Sequence, residues 1–253
     1  MRLTRLWGVL PIPLLVAVVS VFAPAAEYNS ATERLLRNLH HELLWVAVPL
    51  AVIVEAALFY AMIKFHDNDD PKPTKQNRRL EITWTIAVAV VLLFVGASSY
   101  MVLTSPMVST QPGQSHAGSD AVDVHIVGQN WFWMFEYPDS NVTTTNTLVL
   151  PANRTVFFTI TSKDVVHSVH IPELGIKEDA FPGRTNTYRT HLTDTGTYRL
   201  YCAEFCGTGH SKMLATVKVV SPERYQQWLR KQKRDGSGNS GNASSTNATT
   251  GSA

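Results

Sequence analysis

Apolar positions are clustered along the chain: residues 6–26, 43–65 and 82–103 hold most of the long apolar runs. The second and third runs are each long enough for a membrane-crossing helix, which needs about 20 mostly apolar residues, and helices are expected over about 43–65 and 81–103. The short polar loop between them carries Lys64, Lys72, Lys75, Arg78 and Arg79. Short Lys/Arg-rich loops stay in the cytoplasm. The pattern therefore predicts a hairpin over 27–104 with its loop inside and both flanks outside. The first run follows a basic start and ends in Ala23-Pro24-Ala25-Ala26, the order of a secretory signal peptide over 1–26 cleaved near Ala25 or Ala26. The rival is an uncleaved anchor, which Pro11 and Pro13 disfavour because proline interrupts a long straight helix.

Beyond a Ser-, Pro-, Gly- and Gln-rich linker at 105–120, the texture changes to short β-branched and aromatic runs broken by turn residues. Strands are expected at 122–127, 131–137, 147–149, 155–161, 184–190, 197–202 and 215–220. Strands of this length and spacing predict an all-β Greek-key sandwich over 121–221, outside the cytoplasm by the hairpin topology. Pro222 opens a short basic helix to 234, and the Gly/Ser/Asn/Thr/Ala tail at 235–253 is expected to be disordered because it has nothing to bury.

Composition adds two exclusions. Charged residues make up 17% of the chain, against roughly 25% for soluble domains, which fits a membrane-anchored protein; two spans are too few for a polytopic transporter. The net charge of +2 excludes nucleic acid as a main partner. Residues 105–219 have a net charge of −2 and residues 220–235 a net charge of +3.

The two cysteines, Cys202 and Cys206, are too few for a disulfide framework. They stand in Cys202-Ala-Glu204-Phe-Cys206-Gly-Thr-Gly-His210-Ser-Lys-Met213, with His167 upstream. Thiolate and thioether are soft ligands that suit copper, and one blue-copper site needs two His, one Cys and a Met. Cys206, His210, Met213 and His167 complete that set, leaving Cys202 surplus. Two thiolates in one loop can bridge two metal ions, each with one imidazole and one weaker ligand. A Cys202–Cys206 disulfide and a Cys2His2 zinc site are the competing readings; the first leaves His210 and Met213 without a role, and the second leaves Met213 unexplained.

With these residues the sequence resembles subunit II of the haem–copper oxidases, in the cytochrome c oxidase branch. The resemblance is carried by Leu80-Glu81-Ile-Thr-Trp84-Thr, by Gly128-Gln-Asn-Trp131-Phe-Trp133-Met-Phe-Glu136-Tyr137, by Asp164-Val-Val-His167-Ser168 through Pro172 to Arg184, and by the cysteine loop. It implies a cupredoxin-like sandwich holding the binuclear copper centre CuA. Cys202 and Cys206 would be the bridges, His167 and His210 the terminal ligands, and Met213 and the Glu204 carbonyl the weak ligands. The Glu204 side chain would help hold magnesium at the boundary with subunit I. The resemblance makes Trp131 the point where electrons arrive and Glu81 the mouth of a proton pathway; by the residues alone, Trp131 reads as core packing and Glu81 as a helix-start carboxylate.

The implied partners are the haem-bearing subunit I, subunit III, the membrane, and cytochrome c or a small blue-copper protein as donor. The implied function is electron input to an oxygen-reducing, proton-pumping oxidase of the plasma membrane. A nitric oxide reductase subunit and a membrane-tethered copper carrier are the alternatives. An acidic patch of Glu136, Asp139, Glu173, Glu178 and Asp179 is expected to attract the donor. His170 is expected at a surface or edge strand and not as a ligand. Glu55, mid-span in the first helix, is expected to face a neighbouring chain.

Overall fold

The computed structural model describes residues 27–73, 75–108 and 121–240. The expected signal peptide, most of the linker and residues 241–253 lie outside the described residues. Two units emerge: one takes in Leu36–Leu103, the other Tyr28–Leu35 together with the chain from Thr104.

The helical unit consists of α1 (Ala31–Lys64) and α2 (Arg78–Leu103). Both spans expected from the apolar pattern are present, but α1 starts at Ala31 instead of near Leu43. Ser30 and Glu33 explain the early start. The Glu33 N–H donates to Ser30 Oγ at 3.0 Å, and the Glu33 carboxylate accepts the Asn29 N–H at 2.8 Å, a variant of the capping box that satisfies the free donors of a helix start. An apolar pattern marks only the part of a helix that crosses lipid, so the polar turns before it were not legible that way. At α2, Asn77 Oδ1 accepts the Leu80 N–H at 3.2 Å. Apart from Thr32 and Glu33, neither helix buries a residue against the rest of the chain, as expected where the apolar surface meets lipid.

The second unit is a sandwich of two five-stranded sheets. One has the order β3-β2-β1-β5-β8, with β1 Val122–Gln129, β2 Phe132–Tyr137, β3 Val142–Thr145, β5 Arg154–Ser162 and β8 Asn186–Leu192. The other has the order β4-β10-β9-β6-β7, with β4 Thr147–Pro151, β6 His167–Ile171, β7 Ile176–Ala180, β9 Gly196–Cys202 and β10 Leu214–Val220. The β1–β5 and β4–β10 pairs are parallel and the others antiparallel. Strict alternation on β5 turns Val156, Phe158 and Ile160 inward, where they meet Val124, Ile126 and Phe135 of the same sheet and Leu148, Leu150, Val169, Leu200 and Val217 of the other. Each fully buried aliphatic or aromatic side chain contributes about 1.5–3 kcal/mol.

Three strands, β3, β6 and β7, were not expected from the sequence. β3 is mostly threonine, β6 contains two histidines and a serine, and β7 reads Ile-Lys-Glu-Asp-Ala on the sheet edge, where polar residues suit a strand that faces solvent. Conversely, Trp131 does not belong to a strand: β2 begins at Phe132, and Trp131 lies in the β1–β2 turn.

Helix α3 runs Pro222–Ser240, past the expected end at 234. A segment with nothing to bury still continues a helix through local backbone hydrogen bonds. Tyr225, Trp228 and Leu229 lie against the sandwich, with the Trp228 ring edge-on to Tyr137 at 5.1 Å.

Segment 28–35 is tied to the sandwich by polar contacts. Ser30 bridges to Leu192 and donates from Oγ to the Leu174 carbonyl at 2.7 Å, and the Thr193 N–H donates to the Asn29 carbonyl at 3.0 Å. Gly175, at φ +65°, leaves room for this segment, because a Cβ there would stand 2.9 Å from the Glu33 backbone.

Candidate metal centre

At one end of the sandwich, β9 ends in Cys202 and β10 restarts at Leu214, so the loop between them must close on itself. It does so through the Cys202 N–H, which donates to the Met213 carbonyl at 3.1 Å, and the Ala203 N–H, which donates to the Ser168 carbonyl at 2.9 Å. Gly207 at φ +109° allows the return, and a short 3-10 turn, His210–Lys212, presents His210. His167 comes from the first position of the adjacent β6.

The predicted donors converge. The two sulfurs are 3.8 Å apart and unbonded. His167 Nδ1 lies 3.8 Å from Cys202 Sγ, His210 Nδ1 lies 3.6 Å from Cys206 Sγ, and Met213 Sδ lies 3.7 Å from Cys206 Sγ. The Glu204 carbonyl oxygen is 3.2 Å from Cys202 Sγ. Each imidazole thus sits beside a different sulfur. His167, Cys202 and Cys206 offer ligand atoms all within 4.8 Å of one another, a group that does not take in His210. Four donors around a single zinc would lie within about 4 Å of each other. Two thiols, two imidazoles and a thioether divided in this way fit a pair of soft ions better than one.

The site is apolar and protected. His167 and Met213 are fully buried and both cysteines nearly so. Burial, followed by the neighbouring Cys202, pushes the Cys206 thiol up to about 12. A bound cation reverses that balance by taking the place of the protons.

His167 has a second partner that sequence reasoning quoted in a motif without giving it a role. Its Nε2 lies 2.8 Å from Asp164 Oδ1. Burial pulls the Asp164 carboxyl up, but hydrogen bonds from the Asn130 N–H, His167 and the Val165 N–H hold it below the ordinary carboxylate range. The ionised carboxylate therefore accepts a hydrogen bond from Nε2–H, the tautomer in which Nδ1 keeps its lone pair toward Cys202. The only sequence signal was the three-residue spacing from Asp164 to His167.

Glycines shape the surroundings. A Cβ on Gly128 would meet His167 Cδ2 at 2.8 Å and Trp133 at 3.2 Å. Only glycine leaves space there for His167 and, behind it, for Trp133, which is buried with its ring edge-on to His167 at 5.9 Å. Trp131 faces the other way: it is 41% exposed, and its Nε1 donates to the Cys206 carbonyl at 3.3 Å. Its ring lies flat on Gly209, where a Cβ would stand 2.3 Å from Cδ2.

The other expected residues are dispersed. Glu81 is exposed in the first turn of α2, in the helical unit. The Glu204 side chain lines an open polar cavity of about 550 Å³ with Lys177, Glu178, Asp179 and Arg184. The five carboxylates expected to form one acidic patch do not converge. Glu178 and Asp179 pair in register with the start of β6, near His167. Asp139 and Glu173 follow the far ends of β2 and β6. Glu136 lies 3.9 Å from His125 across the strands. His170 is on β6, second from the sheet edge and not at it, with its ring 4.8 Å from Tyr201. Burial and then Lys177 push its pKa down, and strand alternation turns it away from His167.

Comparison with known proteins gives a consistent result. The family description "Cytochrome C oxidase subunit II, transmembrane domain" matches residues 20–102, and "Cytochrome C oxidase subunit II, periplasmic domain" matches residues 140–220. The first range includes Glu81; the second includes all six candidate donors and begins after Trp131. A probable cytochrome c oxidase subunit 2 of Rickettsia bellii is 30% identical over 217 residues, covering 77% of this chain and 78% of that protein. Cytochrome c oxidase subunit 2 of Cereibacter sphaeroides is 30% identical over 234 residues, covering 77% and 74%. Among solved structures, the periplasmic domain of subunit II of cytochrome oxidase from Bradyrhizobium japonicum is 26% identical with a TM-score of 0.45, covering 47% of this chain and 97% of that one.

Proposed function

The chain belongs to the cytochrome c oxidase subunit II family, and from that premise we propose that it is the subunit through which electrons enter an aerobic terminal oxidase of the plasma membrane. Membership makes it a membrane-bound oxidase subunit with an extracytoplasmic sandwich. In this reading Trp131 receives electrons from cytochrome c or a small blue-copper protein, and the chain passes them to haem in subunit I.

Cys202 and Cys206 would hold two copper ions between them, with His167 and His210 as end ligands and Met213 and the Glu204 carbonyl as weak ones. Such a copper pair, when bound, shares one electron over both ions, so little rearranges on transfer. The chain's own residues prepare the site. Asp164 fixes the His167 tautomer, the β6–β9 hydrogen bonds hold the ligand loop against its neighbour strand, and buried Met213 and Trp133 exclude water. The hydrogen bond from Trp131 to the Cys206 carbonyl couples an exposed ring to a ligand residue in one step. Glu204 would share a magnesium ion with subunit I across the polar cavity, Glu81 would open a proton path, and subunit III would complete the complex.

The observation that carries this reading is the division of the ligand set, with one imidazole at each sulfur. Electron paramagnetic resonance of the copper-loaded chain tests it. The expected signal is that of one unpaired electron shared by two equivalent coppers; Cys202→Ser should abolish it and lower the copper content. A spectrum of a single isolated copper in the unaltered chain would overturn the assignment.

A further inference from the structure

Glu55 is the one acidic residue within the apolar run 43–65. It stands twelve residues from one end of that run and ten from the other, about 18 and 15 Å at 1.5 Å per residue, so it sits near the middle of a bilayer core about 30 Å thick. An ionised carboxylate in hydrocarbon is costly, and even a neutral carboxyl group needs a hydrogen-bond partner there. Among the described residues no hydrogen bond or ion pair reaches its carboxyl group. The hairpin itself does not cover it: Val48 and Val52 are half-buried, but residues 53–60 are all exposed.

The face around it is shaped for another helix. Ala51 and Ala47 lie one and two turns before Glu55 on the same side of α1, both exposed. Small residues at four-residue spacing let a second backbone approach closely, which lipid tails do not require. A close-approach groove leading to a lone polar group fits a protein helix that carries a hydrogen-bond donor. It does not fit bulk lipid, which has none at that depth.

We propose that Glu55, with Ala47 and Ala51, is a membrane-embedded contact site for a transmembrane helix of the haem-bearing subunit, and that this helix presents a hydrogen-bond donor to the Glu55 carboxyl group. The proposal rests on the oxidase reading for the identity of the partner.

Two measurements test it. A hydrophobic carbodiimide adds to carboxylic acids within bilayers to give an N-acylurea, and peptide mass spectrometry reports the labelled residue. With the full chain alone in phosphatidylcholine vesicles, Glu55 should be labelled; in the intact purified oxidase, labelling should fall at least tenfold. Glu55→Leu should lower recovery of the haem-bearing subunit with this chain in detergent about tenfold, while Glu55→Gln, which still hydrogen-bonds, should retain it. The copper signal of Glu55→Leu should match the unaltered chain, showing that the sandwich has folded. Equal labelling in both preparations, or undiminished recovery with Glu55→Leu, would show that Glu55 faces lipid. Absence of the shared-copper signal from the unaltered chain would instead strike at the oxidase reading, and leaves the labelling comparison intact.

Discussion

Asp164 Oδ1 lies 2.8 Å from His167 Nε2, within hydrogen-bond distance, while Nδ1 of the same ring faces Cys202 Sγ at 3.8 Å. The orientation of one candidate ligand therefore depends on a carboxylate three residues earlier in the chain. Partners behind metal-bound imidazoles typically change affinity by about 10–100-fold when removed. Asp164→Ala should weaken copper binding by about that factor, and Asp164→Asn, which keeps the shape of the side chain, should weaken it less. Competition with a chelator of known affinity measures both. Unchanged affinity in Asp164→Ala would show that the ring is held by packing against Trp133 alone.

Gly209 and Trp131 are equally interdependent. A methyl group on Gly209 cannot coexist with the ring where it lies, and overpacking of this kind costs about 1–3 kcal/mol unless something moves. The half-exposed ring is the element free to move. Gly209→Ala should leave the copper spectrum intact but slow reduction by the donor, by on the order of tenfold or more. Stopped-flow reduction separates the two effects. A lost copper signal would mean that the loop moved instead of the ring.

Ser30 caps α1 and also donates to the buried Leu174 carbonyl. Ser30→Ala removes a cap worth about 1 kcal/mol and strands an acceptor at about 1–3 kcal/mol. The sandwich should lose roughly 2 kcal/mol and melt on the order of 5 °C lower, with Ser30→Thr largely restoring it. Thermal unfolding followed by tryptophan fluorescence reads this out.

The sandwich should also weaken in alkali. Burial pushes Tyr188 and Tyr225 up to about 12 and Tyr137 higher still, against about 10 for an exposed tyrosine. The folded state therefore holds these protons more tightly than the unfolded state. Their contribution is complete below about pH 10 and is lost as pH rises from there toward 12. Tyr137 adds a specific cause, because its hydroxyl donates to the Val149 carbonyl, a bond that phenolate cannot make. Denaturant titrations from about pH 8 to pH 11 should show falling stability, with a shallower slope in Tyr225→Phe. An equal slope in both would assign the loss to other groups.

Much of the site was legible in the sequence because its chemistry is local. Cys202, Glu204, Cys206, His210 and Met213 occupy one short loop, and their softness and spacing point to copper before any fold is known. The two spans were legible because lipid demands a long apolar run whatever the tertiary packing. The strands β3, β6 and β7 were not, since edge position and, in β6, the polar residues His167, Ser168 and His170 replace the apolar alternation by which strands are recognised. Asp164 was quoted in a motif but had no role until His167 Nε2 was seen beside it.

The sequence by itself determined the candidate donor set, the membrane hairpin and the all-β character of the remainder, because each follows from residue type and spacing along the chain. Only the tertiary structure decided how those residues are shared out. It put one imidazole at each sulfur, sent Trp131 outward and Trp133 into the core, and scattered carboxylates that had been expected together. Those outcomes depend on strand register and on glycines that let backbone and ring approach. Both are properties of neighbours distant in sequence: Gly128 makes room for His167 and Gly209 for Trp131, across gaps that no local pattern spans.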